Sequence, residues 1–450
     1  MRTSSPNSGS IVRLLKRIPI QKLSKRTAFC KRKSKKISPR EFILGFFLML
    51  SSPGVHSYQQ WATKIGTLKH KTISKQALWK RMQPGGLCFL RSVLAYAIAH
   101  SLQKSFSLPL SKKLRQFKNI IIEDGTHIRV NNKLAGAYPG SVSGSHKVAP
   151  AKAIVKLQVS YNLTEGTFER FDITNFRKPD QGYAGEILAL VKRGDLVIRD
   201  LGYFVFKVFR AFENTGVYFI SRLRCKALIY LREDDKRPID LAAMLQKRGY
   251  LDISAFMGEE ERMPVRLVAL PVEDSIAAER RRKVRADRDK RHPASKEKLF
   301  LLGWELFITN VEENKLTAKE IAALYFLRWR IEIIFKCWKS YMNAKQIATV
   351  ENKTQLDSYI YCLLLFVVLL QGGGYQYYQR KYVMKKGTPA DGGVSMMKLT
   401  KFIMDNIGAI IYSEYPGKVF RNCELDEQTM YYCRYEIRHD RTNFCQKMAS

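Results

Sequence analysis

Hydrophobic positions along this chain follow two regimes. Up to about residue 115 apolar residues recur at helical spacing, and the run Phe42 to Leu50 reads as a buried helix. Between Tyr58 and Met82 the segment YQQWATKIGTLKHKTISKQALWKRM predicts two short helices around a turn at Gly66. The second is capped by Ser74 and carries Lys75, Lys80 and Arg81, a pattern that suits a helix-turn-helix or simply two amphipathic helices. Extended segments then take over. Ile120, Ile121 and Ile122 form a buried run that stops at Glu123-Asp124-Gly125-Thr126. Residues 153–163 and 166–174 read as strands joined at Thr164-Glu165-Gly166, a hairpin. A helix over 184–192 precedes the apolar run Leu196, Val197, Ile198, which ends at Arg199-Asp200-Leu201-Gly202-Tyr203. An aspartate thus stands at the end of each of two buried strands.

Residues 216–299 mix extended stretches with the highly charged segment 278–292, as an insertion would. The strand pattern resumes over 299–310, and a helix free of Gly and Pro is predicted from Thr317 through Ser340. Gly372 to Gly374 marks a break, after which the chain is helical and aromatic. The apolar runs at 42–50 and 360–370 fall short of the roughly 20 residues that span a bilayer, so no membrane partner is expected.

Charge sharpens this picture. The 450 residues carry 78 Lys and Arg against 40 Asp and Glu, a formal charge of +38. Before Glu123 there are 25 Lys and Arg and a single acid, Glu41. A surplus so concentrated argues for a polyanionic partner, and the run Lys31, Arg32, Lys33, Lys35, Lys36 reads as an arm able to lie along phosphates. Eight scattered cysteines, and no apolar leader with a small-residue cleavage site after the basic start, argue against a secreted disulfide scaffold. Cys423, Cys433, His439 and Cys445 lack zinc-site spacing, and the loop Gly140 to Lys147 lacks that of a P-loop.

Candidate chemistry gathers on the last of these helices. Tyr325, Arg328, Glu332 and Lys339 stand at offsets of 0, 3, 7 and 14, which on one continuous helix places them within an arc of about 60°. Arg328 and Glu332 could equally be a surface salt bridge. The carboxylates Asp124, Asp200 and Glu332 are hard oxygen donors suited to Mg²⁺, and two such ions could drive in-line attack on a phosphodiester. A strand-end aspartate taken alone caps a turn just as well. His127, close to Asp124 in the chain, is a candidate DNA contact.

The segments IIIEDGT, LVIRDLGYF and YFLRWRIEIIFKCWK together resemble the DDE signature of the IS4 family of bacterial insertion-sequence transposases. The last contains Y-x2-R-x3-E-x6-K with Tyr325, Arg328, Glu332 and Lys339 each in place. The resemblance spans about residues 55–370. It implies an α/β fold with a ribonuclease H-like, mixed-sheet catalytic core interrupted by a β-rich insertion, a helical N-terminal DNA-binding domain and a helical C-terminal region. Charge, hydrophobic pattern and resemblance together give the expected division: a basic flexible arm at 1–40, the DNA-binding domain at 41–115, the core at 116–215 and 300–372, the insertion at 216–299 and a C-terminal region at 373–450 with possible dimer contacts. Asp124, Asp200 and Glu332 would be catalytic and hold two Mg²⁺, with Mn²⁺ as substitute. Tyr325, Arg328 and Lys339 would hold phosphates, and Trp304 matches the position of a tryptophan that receives a flipped base, although it could equally pack in the sheet. The expected partners are double-stranded DNA, both terminal inverted repeats and target, and a second copy of the chain in the DNA complex. The expected location is the bacterial cytoplasm, at the nucleoid. A metal-dependent nuclease that cuts without joining, and a non-catalytic DNA-binding protein derived from a transposase, remain alternatives.

Overall fold

The computed structural model describes residues 10–30, 36–52, 54, 56–100, 113–140, 152–224, 227–286, 294–386, 393–414 and 422–434. The chain divides into two compact units, one of residues 1–108, 125–178 and 330–442, the other of 109–124, 179–329 and 443–450. The strands are β1 (Ile120–Val130), β2 (Ala153–Asn162), β3 (Thr167–Asn175), β4 (Leu196–Arg199), β5 (Tyr218–Arg222), β6 (Ile229–Tyr230), β7 (Leu251–Met257), β8 (Met263–Pro271) and β9 (Trp304–Thr309). They form a mixed sheet in the order β3-β2-β1-β4-β5-β9-β8-β7-β6, and β1 passes from the second unit into the first after Asp124. The fold class is therefore mixed α/β.

In the second unit β1 pairs with β4, and β4 with β5, in parallel. The remaining pairs, β5 with β9, β9 with β8, β8 with β7 and β7 with β6, are antiparallel. Parallel strands are covered on both faces, which is why β1 and β4 each begin with three consecutive residues from Ile, Leu and Val. One cluster joins Ile121, Val197, Phe219, Leu267 and Ile308 of the sheet to Phe209 and Phe212 of the helix Phe206–Thr215. Each such side chain contributes about 1.5–3 kcal/mol by leaving water. The charged segment 278–292 expected within an insertion is helical as far as Ala286, in the helix Asp274–Ala286, and its remainder lies outside the described residues.

The first unit is mostly helical. Its helix Pro39–Leu50 is buried along almost its whole length and starts with a capping box of Ser38 and Glu41. Glu41 also holds Lys69 at 2.9 Å, and the indole of Trp61 donates to Phe42 O at 2.9 Å. The hairpin of β2 and β3 is antiparallel with a bulge at Ser160/Tyr161; its turn is closed by the Asn162 side chain, which accepts from Thr164 N and Glu165 N, and by Gly166 at φ +69°. Among the described residues one helical run, Lys353–Met384, is long and apolar enough to cross a membrane, and 94% of its apolar window is buried inside the protein.

Several elements depart from the sequence expectation. Gly66 does not make the turn: the helix Tyr58–Lys69 runs through it and ends at His70, which is left-handed at φ 53°. Gly66 instead admits the returning chain, since a Cβ there would lie 2.8 Å from Lys71 O. β1 does not stop at Glu123 but continues to Val130, with Thr126, Ile128 and Val130 buried and His127 and Arg129 exposed, the two-residue period of a half-covered strand. The strand expected from 299 starts at Trp304, because Lys296–Leu301 is a helix capped by Ser295. The glycine cluster is no break. It is a π-helical turn, Val368–Gly374, between the helices Lys353–Val367 and Tyr375–Lys386, and Gly373 lets Leu14 approach, a Cβ there lying 2.6 Å from its Cδ1. Within the segment expected as a flexible arm, Ile11–Lys16 and Ile20–Arg26 are helices that bury Ile11, Val12, Leu14, Leu15, Ile20 and Leu23. The basic residues from Lys31 to Lys35, the loop residues 141–147, His439 and Cys445 lie outside the described residues.

Candidate active site

The helix expected over 317–340 is two. Ala318–Phe326 starts with a capping box of Thr317 and Glu320, and Trp329–Ser340 follows after a turn at Leu327-Arg328. The turn is tightened by Leu327 N to Leu324 O at 3.0 Å and Arg328 N to Tyr325 O at 3.1 Å, bonds of three-residue span. The single 60° stripe is thereby corrected, because angular arithmetic holds only along an unbroken helix. Tyr325 and Arg328 belong to the second unit, Glu332 and Lys339 to the first.

Within the second unit β1 and β4 lie in register from Ile120 opposite Leu196 to Glu123 opposite Arg199. Asp124 and Asp200 follow one residue later on each chain, so two carboxylates leave neighbouring parallel strands at the same level. Successive side chains in extended backbone point to opposite faces. Glu123 and Arg199 accordingly turn into the core while Asp124 and Asp200 stay partly exposed.

Each aspartate has a partner from the helical turn. Arg328 Nη1 lies 2.7 Å from Asp124 Oδ2, with the two side chains 15% and 18% exposed. The Tyr325 hydroxyl donates to Asp200 Oδ1 at 3.2 Å. Burial first and the Asp200 charge second push the Tyr325 phenol up to about 12, against the opposing pull of Arg328 and Arg222, so it remains a donor at neutral pH. The Arg222 guanidinium stands 5.3 Å over the Tyr325 ring and binds Glu305 at 2.5 Å, and Glu305 also receives Arg280 from the helix Asp274–Ala286.

On the buried side Arg199 pairs with Glu123, their side chains 2% and 0% exposed. Arg199 also donates to Ala184 O at 2.7 Å and lies over the rings of Tyr203 and Phe212 at 5.2 and 5.6 Å. The Tyr203 phenol is pushed far up by burial and then by the charges of Glu123, Asp180 and Asp124. Asp180 also sits against Gly202, where a Cβ would be 3.1 Å from its Oδ2.

In the first unit Glu332 stands in the first turn of Trp329–Ser340, where the helix dipole favours a carboxylate. Ile331, Ile334, Phe335, Cys337 and Trp338 bury the other side of that helix. Lys339, one heptad beyond Glu332 and so on nearly the same face, is half-buried, and burial followed by the charge of Lys345 lowers its pKa. His127 is lowered by burial and then by Lys339, Lys156 and Arg129, which marks a basic neighbourhood around it. Among the described residues no three or more His, Cys, Asp or Glu gather as a metal-holding group.

The remaining predicted contacts are spread elsewhere. Trp304 opens β9, partly buried, its ring 6.2 Å from Phe300 and packed on the core cluster. Lys75 and Lys80 are exposed on and just after the five-residue helix Lys75–Trp79, whereas Arg81 donates to Ala77 O at 3.2 Å and Ile37 O at 3.3 Å. Sequence reasoning passed over Glu123, Arg199, Asp180, Arg222, Glu305 and Arg280. For the first two a signal existed: each is an ionisable residue directly after a run of three branched aliphatics, Ile120 to Ile122 and Leu196 to Ile198.

The Transposase DDE domain family matches residues 115–366 of this chain. The chain therefore belongs to the DDE transposases, enzymes of insertion sequence elements. It is 28% identical over 369 residues to the transposase of element IS231D from Bacillus thuringiensis subsp. finitimus, covering 78% of this chain and 76% of that one. It is 24% identical over 352 residues to the IS1151 transposase of Clostridium perfringens, covering 74% and 73%, and 25% identical over 313 residues to the IS421 transposase of Escherichia coli, covering 64% and 81%. A piggyBac transposase synaptic complex with hairpin DNA aligns over 98% of this chain and 90% of that one, at 10% identity and a TM-score of 0.44, a likeness too slight to bear on the site.

Proposed function

We propose that this DDE transposase moves its element by a cut-and-paste route on a ribonuclease H-like core, with Asp124, Asp200 and Glu332 as the catalytic carboxylates. The observation that carries the reading is the placement of Asp124 and Asp200 at one level on the adjacent parallel strands β1 and β4. Their donor chemistry fits a hard divalent cation: two carboxylates in close proximity repel unless positive charge lies between them, and Arg328 now provides it at Asp124. Asp124, Asp200 and Glu332 would hold two Mg²⁺, or Mn²⁺ in their place. When bound, the pair of ions supplies an activated water or 3′-hydroxyl and a stabilised leaving oxygen.

The chain's own residues then have distinct tasks. Tyr325 orients Asp200 through its hydroxyl. Arg328 exchanges Asp124 for a DNA phosphate, and Lys339, whose charge is disfavoured by its surroundings, gains most from a phosphate beside it. Trp304 is the candidate support for a base turned out of the duplex. Lys75 and Lys80, with Arg81 bracing the segment, contribute to binding terminal inverted repeats by a helical N-terminal domain. Target DNA and a second copy of the chain complete the assembly, with dimer contacts assigned to the region from 373, and the reaction belongs to a bacterial cytoplasm.

The test is excision of a marked DNA segment bounded by the element's own ends, in Mg²⁺, with the unmodified chain and Glu332→Gln. Excision by the first, and its loss in the second with end binding retained, is the expected result. Equal binding without cutting by either protein makes the chain a DNA-binding protein rather than an active transposase, and cutting without joining makes it a nuclease.

A further inference from the structure

Register between β1 and β4 is poorly specified by their apolar residues. Ile120, Ile121 and Ile122 face Leu196, Val197 and Ile198, and a slip of two residues would keep every side chain on its proper face and still bury branched aliphatics. Two polar pairs distinguish one register from another: the Asn119 amide, which donates to the buried Asp195 Oδ1 at 2.8 Å where the strands begin, and Glu123 opposite Arg199 at the end next to the two aspartates. Any slip would leave a buried carboxylate and a buried guanidinium apart, at 0% and 2% exposure, with no water to replace the partner. The structure also holds Arg199 from beneath, through Ala184 O at 2.7 Å and the rings of Tyr203 and Phe212. Asp124 and Asp200 are the residues immediately following this pair.

We propose that the Glu123–Arg199 ion pair is a positioning device that locks the β1–β4 register and so sets Asp124 beside Asp200 at the spacing a shared cation requires. This rests on the reading of those two aspartates as metal-holding carboxylates. Apolar replacement of a buried pair commonly leaves a fold as stable or more so, so stability alone does not account for a pair kept inside a core. Both residues are positioning residues: neither reaches the open face on which the aspartates lie.

The full-length protein is compared with Glu123→Gln/Arg199→Met, Arg199→Lys and Glu123→Asp. Mn²⁺ binding is read by titration calorimetry in the presence of an end duplex, folding by thermal melting, and nicking of the duplex as a function of metal concentration. The double variant is expected to melt cooperatively and to bind the duplex as the unmodified chain does, while its affinity for Mn²⁺ falls at least about tenfold, the usual effect of removing a support behind metal-holding groups. Arg199→Lys, which retains the charge but not the guanidinium's planar set of donors, keeps part of that affinity. A folded double variant with unaltered Mn²⁺ affinity and unaltered metal dependence of nicking overturns the proposal. If the double variant does not fold, Glu123→Asp decides: it keeps both charges but shortens the carboxylate's reach by one methylene, and unaltered Mn²⁺ affinity in it overturns the proposal equally. If the unmodified chain itself neither binds Mn²⁺ nor nicks, the metal-dependent reading of Asp124 and Asp200 fails, and that outcome is distinct from equal binding by both proteins.

Discussion

Two carboxylate–guanidinium pairs begin at adjacent residues of β1 and behave as opposites. Glu123 meets Arg199 inside the core, on a neighbouring strand, with essentially no exposure. Asp124 meets Arg328 from a turn between two helices, with both side chains still touching solvent. Removing one partner of the buried pair strands a charge in low dielectric, whereas Asp124 and Arg328 can each find water or another ion. The buried pair is thus fixed and the open pair more readily exchanged, the division that the proposed binding of metal and phosphate would need. One step along a strand is enough to separate them.

The largest effect is expected at the open pair. Asp124→Asn should lower excision by at least roughly 10²–10³-fold, the range for losing one charge-stabilising group in a site. Its thermal stability should shift by no more than the equivalent of about 1 kcal/mol, because that pair is exchangeable. A large loss of stability would mean that the open pair is structural after all. The buried pair should show the reverse balance: Arg199→Met alone is expected to cost about 3–5 kcal/mol in denaturant unfolding, with part of it regained when Glu123→Gln is added. Simple addition of the two single effects would show that the charges do not depend on each other.

Smaller effects sharpen the same contrast. The Tyr325 phenol is raised in the folded chain to about 12 from an ordinary 10.0, so its protonated form is the one that folding favours. The resulting stability is fully present below pH 10, and it falls away as pH rises through about 12; a shift of this size is worth on the order of 1–3 kcal/mol. Tyr325→Phe should abolish that component, seen as a shallower fall in melting temperature between pH 9 and 12 than the unmodified chain shows. Least of all, Lys75→Ala and Lys80→Ala should each reduce the salt dependence of duplex binding by a slope of about 1 while leaving excision chemistry on bound DNA unaltered. An unchanged slope would remove the five-residue helix from the DNA interface.

Much of this molecule is legible without coordinates where the signal is local. The apolar run of β4 followed by Asp200, the β2–β3 hairpin and the Ser74 cap all emerge from side chains acting on backbone within three or four residues. The misreadings share a cause. Glu123-Asp124-Gly125 resembles a strand end, yet β1 continues, because pairing and burial on either side outweigh the turn preference of Asp-Gly. Residues 317–340 contain no breaker, yet the helix divides at Leu327-Arg328, where backbone bonding tightens to a three-residue span. Gly372 to Gly374 resembles a linker, yet it lies inside a continuous helical run because the absent side chains leave room for Leu14.

The sequence by itself determined the class of enzyme, the basic partner surface and the identity of the candidate carboxylates, since motif spacing and net charge are properties of the chain that folding cannot alter. Only the tertiary structure decided that Glu123 and Arg199, 76 apart in the chain, meet in the core while their immediate successors share the open face. The reason is that strand register and burial are set by contacts between distant segments, and a strand read alone carries no record of which neighbour it faces.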